Sequence, residues 1–171
     1  MKIHGQAKRI LYGSLTAVLL LSMVSTANAV GKRSSVGATP ETTVTVLISS
    51  LENKNGQLIL TADPIEWYQG AEADKVFAER DPEGAAEIGR VPDGYYIVND
   101  EKTLETFDVS AQAQVLMQLY DPYTIKWNEE ITLNQFIEAL DGKGTPDQKA
   151  FPYHLTLKDG KVVKIVQQYT P

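Results

Sequence analysis

His154 is the residue in this sequence with the widest range of possible chemistry, and it is the one histidine outside the first few residues. It stands in the C-terminal stretch FPYHLTLKDGKVVKIVQQYTP, residues 151–171. Histidine serves proteins as a general base, as a metal ligand or as an ordinary strand residue. Zinc sites need three or four His, Cys or carboxylate ligands at suitable spacing, and no such set accompanies His154. No G-x-S-x-G motif is present either, so the sequence favours a strand residue.

The turn residues that follow His154 predict a β-hairpin, and its register decides where the imidazole points. A two-residue turn at Asp159-Gly160 would place the apolar residues of the first strand opposite a mixed face of the second. A three-residue loop ending at the same glycine instead pairs Leu155 with Val163 and gives one apolar face. We expect the three-residue loop, in which His154 lies opposite Lys164. A lysine neighbour disfavours both an imidazolium and a bound cation.

Paired carboxylates are the second chemistry that the sequence offers. Two acids in one pocket could perform hydrolysis, as in glycosidases. Because the chain has 22 Asp and Glu residues, acids also come close together by chance. The stretch DGKGTPD, residues 141–147, does not match the calcium-loop pattern and is interpreted as the exit of a helix. We assign no catalytic residue, no metal ligand and no cofactor, and retain as acid candidates Asp63, Glu66, Asp93 and Asp100.

The aromatic side chains are the best candidates for binding. They occur as the doublets Trp67-Tyr68 and Tyr95-Tyr96 and within the loop DPYTIKW, residues 121–127. Neighbours in a strand face opposite sides, so each doublet places one ring inward, and we expect Trp67 in the core. Exposed rings favour a glycan or peptide ligand, whereas rings that cap the ends of a small barrel would be structural. The tentative ligand-binding residues are Tyr123, Trp127, Tyr96 and Tyr68.

The first 29 residues have the pattern of a secretory signal peptide. Three basic residues precede the apolar run ILYGSLTAVLLLSMV, and Ala27-Asn28-Ala29 fits the small-x-small cleavage rule. An uncleaved membrane anchor is the alternative, but the apolar run is shorter than the roughly 20 residues that span a bilayer. We therefore expect cleavage after Ala29 and export to the extracellular or cell-wall space, with no stable membrane insertion afterwards.

The charge balance excludes several classes of partner. The chain holds 16 Lys and Arg against 22 Asp and Glu, a formal net charge of −6, and removal of the basic leader makes it more negative. Nucleic acids and anionic membranes attract basic surfaces, so we expect neither as a partner. The absence of cysteine also rules out disulfides, thiol catalysis and a lipid-modified cysteine.

Residues 30–42 are rich in Gly, Ser and Thr and are interpreted as a flexible tether before a single β-rich domain, 43–171. Asn55-Gly56 predicts a first hairpin, and a capping box at Thr132 and Gln135 predicts a helix that ends near Gly142. The other predicted elements are a short helix over 71–80, a polar loop over 81–94 and a meander of strands at 95–99, 104–109 and 113–120.

Three segments resemble small secreted or lipid-anchored proteins of Gram-positive bacteria: PDGYYIVND (92–100), LETFDVS (104–110) and DGKVVKIVQQYTP (159–171). The resemblance covers roughly residues 63–171. No activity is assigned to that group, so the resemblance implies no catalytic residue. Its lipid-anchored members carry a lipobox cysteine that this chain lacks, which implies a freely secreted form.

These observations predict a mainly β fold of the α+β type: a small antiparallel, OB-like barrel or curled sheet with two short helices. The function that they favour is a secreted, non-enzymatic binding or interaction module, whose partner is a glycan, a cell-wall component or a protein. The alternatives are a secreted hydrolase that uses paired carboxylates and a structural component of the cell envelope.

Overall fold

The computed structural model describes residues 40–142 and 146–171. Their strands are β1 (Thr42–Lys54), β2 (Gln57–Pro64), β3 (Glu66–Gln69), β4 (Tyr95–Val98), β5 (Glu105–Met117), β6 (Glu129–Ile131), β7 (Pro152–Lys158) and β8 (Lys161–Gln167). Their helices are α1 (Gly70–Arg80), α2 (Pro82–Ile88) and α3 (Leu133–Asp141), with a 3-10 turn at Gln148–Ala150. The predicted signal peptide and most of the predicted tether lie outside the described residues. Within those residues, every helix is too short or too polar to cross a membrane.

Five strands close into a β-barrel in the order β1-β2-β5-β8-β7, with β7 pairing back onto β1. All neighbours are antiparallel except β5 and β8, which are parallel. The short strand β6 adds to the end of β5. The mainly β prediction is confirmed, and the closed barrel is consistent with an OB-like fold. The predicted meander did not include a parallel pair.

The barrel interior is filled by apolar side chains from all five strands and from α3. Phe136 of α3 is fully buried, and its ring meets that of Tyr153 at a centroid distance of 5.4 Å. The predicted capping box begins this helix: Gln135 N donates to Thr132 Oγ1 (3.2 Å), and Thr132 N donates to Gln135 Oε1 (2.9 Å). Such a cap contributes about 1 kcal/mol, so α3 starts at the residue that lets its apolar face close the barrel.

The hairpin of β7 and β8 departs from the predicted register. Asp159 and Gly160 both have positive φ, 52° and 75°, which gives the two-residue turn that twisted strands prefer. Leu157 pairs with Val162, and a register shift then leaves Val163 without a partner across the ladder. The prediction of a three-residue loop was wrong. A bulge inside the strand, rather than a longer loop, keeps the apolar residues on one face.

The predicted strands at 104–109 and 113–120 are one continuous strand, β5. Its pairing with β8 passes from Val109 opposite Val162 to Gln114 opposite Lys164, so β5 bulges over 110–113. The predicted meander was therefore wrong, because the polar residues at its centre form a bulge and not a turn.

An inserted module, residues 66–98, lies between barrel strands β2 and β5 and comprises β3, α1, α2 and β4. Strands β3 and β4 pair with each other, and helices α1 and α2 pack beside them around Ala73, Phe77 and Val91. Helix α2 occupies the segment predicted as a polar loop, which makes three α-helices where two were predicted. Asp81 caps α2 by accepting from Gly84 N (2.9 Å), with proline at the first helical position.

A clasp at Asp63 joins the two ends of the inserted module. This carboxylate is buried at the end of β2 and accepts hydrogen bonds from Asn99 Nδ2 and Thr103 N, both at 2.9 Å. Next to it, Arg80 of α1 donates two hydrogen bonds to the carboxylate of Asp100, at 2.9 and 2.7 Å. The chain thus leaves the barrel and returns to it at one place.

Candidate functional site

The segment between β5 and β6, residues 118–128, is named the aromatic loop. It carries three large apolar side chains that face solvent: Tyr123 is 95% exposed, Trp127 63% and Ile125 61%. The sequence predicted that Tyr123 and Trp127 are exposed, and their exposure is confirmed. Large apolar side chains are costly to leave in water when they cluster, so this loop stands out from the rest of the described surface.

The aromatic loop is closed by a pair of side-chain amides. Gln118 Oε1 accepts from Asn128 N (3.1 Å), and Gln118 Nε2 donates to Asn128 Oδ1 (3.0 Å). At the tip, Thr124 N donates to the carbonyl of Asp121 (3.2 Å), and Tyr123 N donates to the Asp121 carboxylate (2.8 Å). A compact loop whose ends meet and whose turn is braced in this way has a constrained backbone, so the positions from which its exposed rings project are set.

Two buried glutamines connect the loop to the barrel. Gln167 Oε1 accepts from the backbone N–H of both Gln118 (2.9 Å) and Leu119 (2.7 Å), while its amide donates to Gln148 Oε1 (2.7 Å). Gln148 Nε2 donates in turn to the carbonyl of Leu119 (3.1 Å). Both side chains are almost fully buried, at 1% and 4% exposure. Buried backbone groups need hydrogen-bond partners. Here the two glutamine side chains pair with the backbone of Gln118 and Leu119, as a neighbouring strand would do.

Tyr153 completes this buried network. Its hydroxyl donates to the carbonyl of Gln148 at 2.9 Å, and its ring is fully buried in the barrel. Burial raises the pKa of Tyr153 well above the ordinary tyrosine value, because the phenolate would lie in an apolar interior. The base of the aromatic loop is therefore part of the barrel core.

Trp127 packs against the C-terminal segment. The rings of Trp127 and Tyr169 meet edge to face at 5.6 Å, which fixes the orientation of the exposed indole. The preceding residue, Gln168, donates through its amide to the carbonyl of Tyr169 (2.8 Å) and places its oxygen 3.1 Å from His154 Nε2. Residues 168 and 169 thus link the aromatic loop to the only histidine of the described chain.

His154 is held on the outer face of β7 by both ring nitrogens. Nδ1 lies 3.0 Å from Thr45 Oγ1, and Nε2 lies 3.1 Å from Gln168 Oε1. Because an amide oxygen only accepts, Nε2 donates to Gln168, and the hydroxyl of Thr45 is the hydrogen-bond partner of Nδ1. The predicted neighbour was wrong: the residue opposite His154 on β8 is Val166, not Lys164, since the bulge in β8 shifts the register.

The hydroxyl partner of His154 was missed by the sequence because Thr45 lies 109 positions away. A hydroxyl hydrogen-bonded to histidine also occurs in nucleophilic catalysis, where a neighbouring donor must stabilise an oxyanion. Thr45 is instead a cross-strand partner of His154 in the middle of a sheet, and its carbonyl accepts from Ile65 N (2.9 Å). The hydrogen bond between Thr45 and His154 links β1 to β7 and positions the imidazole that the Trp67 ring contacts.

A second pair of rings contacts His154 from the inserted module. Trp67 and Tyr95 stack nearly parallel, with centroids 4.6 Å apart and an interplanar angle of 14°. The edge of Trp67 meets the imidazole at 6.3 Å and 81°. Trp67 was expected in the core; it is half-buried between the module and the outer face of the barrel, with a fully buried indole N–H that has no hydrogen-bond partner.

The other two candidate rings, Tyr68 and Tyr96, lie on the opposite face of the two-stranded β3–β4 sheet. They are cross-strand partners, half-buried, and pack against the small core of Ala73, Phe77 and Val91. The Tyr68 hydroxyl donates to Glu66, and this hydrogen bond raises the pKa of Tyr68. The structure therefore brings Tyr68 together with Tyr96 and Trp127 together with Tyr169, and the ring contacts of the described residues do not join the two sets.

Three of the four candidate acids are engaged by other groups. A cavity of about 480 Å³ is lined by Glu66 and Asp100 among others, but Glu66 accepts from Tyr68 and Asp100 accepts from Arg80. Asp63 holds the clasp, and Asp93 lies exposed in the turn before β4. Among residues 40–142 and 146–171, no three His, Cys, Asp or Glu side chains form a group that could hold a metal ion. Part of the 141–147 loop lies outside those ranges.

Comparison of the chain with protein-family models, with curated proteins and with solved structures gives no match. The geometry of the described residues is therefore the basis for a functional interpretation. Its main features are the braced aromatic loop and the rings that approach His154 from the inserted module.

Proposed function

We propose that this chain is a secreted, non-enzymatic binding module of the cell envelope or extracellular space, and that the aromatic loop is its contact surface. The observation that carries the proposal is the exposure of Tyr123, Ile125 and Trp127 together on one braced loop. Trp and Tyr are the residues most enriched at energetic centres of interfaces. A domain that only fills space has no need to hold such side chains in water.

The bracing of the loop is the second support for the proposal. A flexible loop loses conformational entropy when it binds, which lowers affinity by about 0.5–1.5 kcal/mol for each side chain that becomes fixed. The Gln118–Asn128 pair and the buried amides of Gln148 and Gln167 fix the loop before any ligand arrives. Burying these polar side chains costs desolvation free energy. A binding surface benefits from it, because less conformational entropy is lost when the ligand binds.

Secretion is the part of the proposal that rests on the sequence. The basic start, apolar run and Ala-Asn-Ala motif of residues 1–29 support export by the general secretory route. N-terminal sequencing of the protein from culture supernatant tests it, with Val30 as the expected first residue. A supernatant form that still carries residues 1–29 would contradict it.

Binding is tested by pull-down with purified cell-wall fragments and with intact cells, using the wild type and Tyr123→Ala/Trp127→Ala. Each ring contributes roughly 0.5–1.5 kcal/mol beyond its buried area, so loss of both lowers affinity by about tenfold or more. Ile88→Ala/Leu104→Ala is the matched control, because those side chains are also exposed, at 52% and 63%, but lie elsewhere. Equal retention of all three proteins would overturn the assignment of the aromatic loop.

A further inference from the structure

Six residues are connected in series across the outside of the barrel, and together they are named the aromatic strip: Tyr95, Trp67, His154, Gln168, Tyr169 and Trp127. Four of the five links join side chains, and the fifth joins the amide of Gln168 to the backbone carbonyl of Tyr169. The series begins in the inserted module, crosses β7 at His154 and ends in the aromatic loop. All six are at least partly open to solvent. This series of contacts connects the two ring clusters, Tyr95 with Trp67 and Trp127 with Tyr169, across β7.

The composition of the aromatic strip restricts its ligand. None of its six members is an acid, a lysine or an arginine; they offer ring faces, one amide and hydrogen-bonding ring edges. The surroundings are acidic, since residues 66–98 hold eight Asp or Glu against three Lys or Arg and the chain as a whole carries −6. Lys126 of the aromatic loop is already paired with Glu129 at 3.0 Å. Anionic polymers and anionic lipid surfaces are therefore repelled.

The shape of the strip restricts the ligand further. Small molecules bind in concave cavities that bury most of their surface, whereas Tyr123 and Trp127 stand out from the barrel. A row of connected rings with amide and hydroxyl groups beside them suits a chain of repeating units that present an apolar face and neutral hydroxyls. We propose that the aromatic strip binds a linear, uncharged polysaccharide, with one end on Trp67 and Tyr95 and the other on the aromatic loop. This inference rests on the proposed binding function and adds the ligand class and the second contact region.

The first experiment is affinity gel electrophoresis of the folded secreted protein in hydroxyethylcellulose and in glycol chitin, with heparin as the anionic comparison. Retardation by a neutral polysaccharide, and none by heparin, is the expected result. Preferential retardation by heparin, or co-sedimentation with phosphatidylglycerol vesicles, overturns the ligand class. Binding to protein components of the cell surface without retardation by either neutral polymer also overturns it, although the proposed binding function would then stand.

The second experiment tests the strip as one continuous site. Tyr95→Ala and Tyr123→Ala are each expected to weaken binding of the retained polysaccharide by about threefold to tenfold, and the double variant by about the product of the two. Tyr95→Phe keeps the ring on Trp67 and should bind as the wild type does, which separates a lost contact from a misfolded module. Ile88→Ala is the control on the same module.

Ligand length gives an independent measure. Affinity for oligosaccharides of the retained polymer should rise steeply from the disaccharide to the hexasaccharide in the wild type, and the rise should be smaller in Tyr95→Ala. If the disaccharide binds as tightly as the hexasaccharide, or if Tyr95→Ala has no effect while Tyr123→Ala does, the strip is wrong and the aromatic loop alone is the site. If neither tyrosine variant weakens a binding that the wild type shows, the proposed function of the loop fails as well.

Discussion

The barrel and the inserted module differ sharply in how they are held together. The barrel is closed, so its five strands have neighbours on both sides, and sixteen buried apolar residues form its core. The module has a two-stranded sheet, and three buried apolar residues, Ala73, Phe77 and Val91, form its own core cluster. A two-stranded sheet with so small a core is only marginally stable by itself, so the module depends on the barrel for its order. The aromatic loop is therefore attached to a region with a large core, whereas Trp67 and Tyr95 lie in a region with a small one.

The largest effect is expected from removing a buried ring from each region. Phe136→Ala leaves a cavity in the barrel and should lower the free energy of unfolding by about 3–5 kcal/mol. Phe77→Ala removes the same group from the module, where local opening limits the cost to roughly 1–2 kcal/mol. Denaturant melts give the first quantity, and hydrogen exchange should show faster exchange over residues 66–98 alone in the second. Equal loss of global stability in both variants would mean that the two regions unfold as one unit.

A buried amide tests how firmly the barrel holds the aromatic loop. Gln167→Leu removes the acceptor for two backbone N–H groups, those of Gln118 and Leu119, and should cost about 1–3 kcal/mol. The added effect is on the loop, whose amides should exchange faster and whose ligand binding should weaken. Gln114→Leu is the control, since this exposed glutamine of β5 lies outside the aromatic strip and its amide donates to the carboxylate of Glu130 rather than to the loop backbone. A stable Gln167→Leu protein with an ordered loop would contradict this account of the network.

Two glycines with nearly the same positive φ, one in each region, allow a direct comparison of the barrel with the module. Gly160 lies in the β7–β8 turn with φ 75°, and Gly89 ends α2 in the module with φ 77°. A valine at either position is strained by about 1–2 kcal/mol, because β-branched side chains avoid positive φ. Gly160→Val should shift the midpoint of global unfolding, whereas Gly89→Val should alter mainly exchange within the module. An unchanged midpoint for Gly160→Val would refute the turn described for this hairpin.

The smallest expected effect is the loss of stability when Tyr153 ionises, which occurs only at alkaline pH. Burial raises the pKa of Tyr153, so its folded value lies above the unfolded value of about 10. The stability that the neutral Tyr153 hydroxyl contributes is fully present below the unfolded pKa of about 10. It is lost as the pH rises above that value and through the higher folded pKa. Tyr95 also has a raised pKa, mainly from burial, but lies in the module. Absorbance titration should show ionisation of module tyrosines before the barrel unfolds, and Tyr153→Phe should remove part of the alkaline sensitivity. A wild-type barrel that stays folded far above pH 10 with Tyr153 ionised would contradict the burial argument.

The elements that the sequence predicted well are those with local signals. Asn55-Gly56 joins β1 to β2 as expected, and Thr132 with Gln135 starts α3. The exposure of Tyr123 and Trp127 followed from their polar loop, and their part in binding stays a prediction. Helix α2 had a local signal too, in Asp81 followed by proline, but the glycine and proline content of the segment indicated a loop.

The remaining features depend on contacts between distant residues. Nothing near Gln167 in the sequence indicates that its side chain is buried, since a glutamine in a strand usually faces water. The partner of His154 is remote in sequence, and the register that brings His154 beside Val166 depends on a bulge that no turn rule specifies. The pairing of β3 with β4 across two helices is of the same kind. The sequence therefore singled out Trp127, His154 and the aromatic doublets, whereas the roles of Gln168 and Tyr169 and the alignment of the six residues were not predicted.

The clasp at Asp63 has a consequence for how such a protein could diversify. Glu66 and Val98, the first and last residues of the module, are direct cross-strand partners, so the inserted segment begins and ends at adjacent points of the chain. A segment with adjoining ends can be replaced by another of different length without altering the closure of the barrel around it. One recombination event between genes would then exchange the end of the strip formed by Trp67 and Tyr95 and leave the aromatic loop in place. Under the proposed function, replacement of the module would change the ligand preference while the barrel, which has its own core, stays closed.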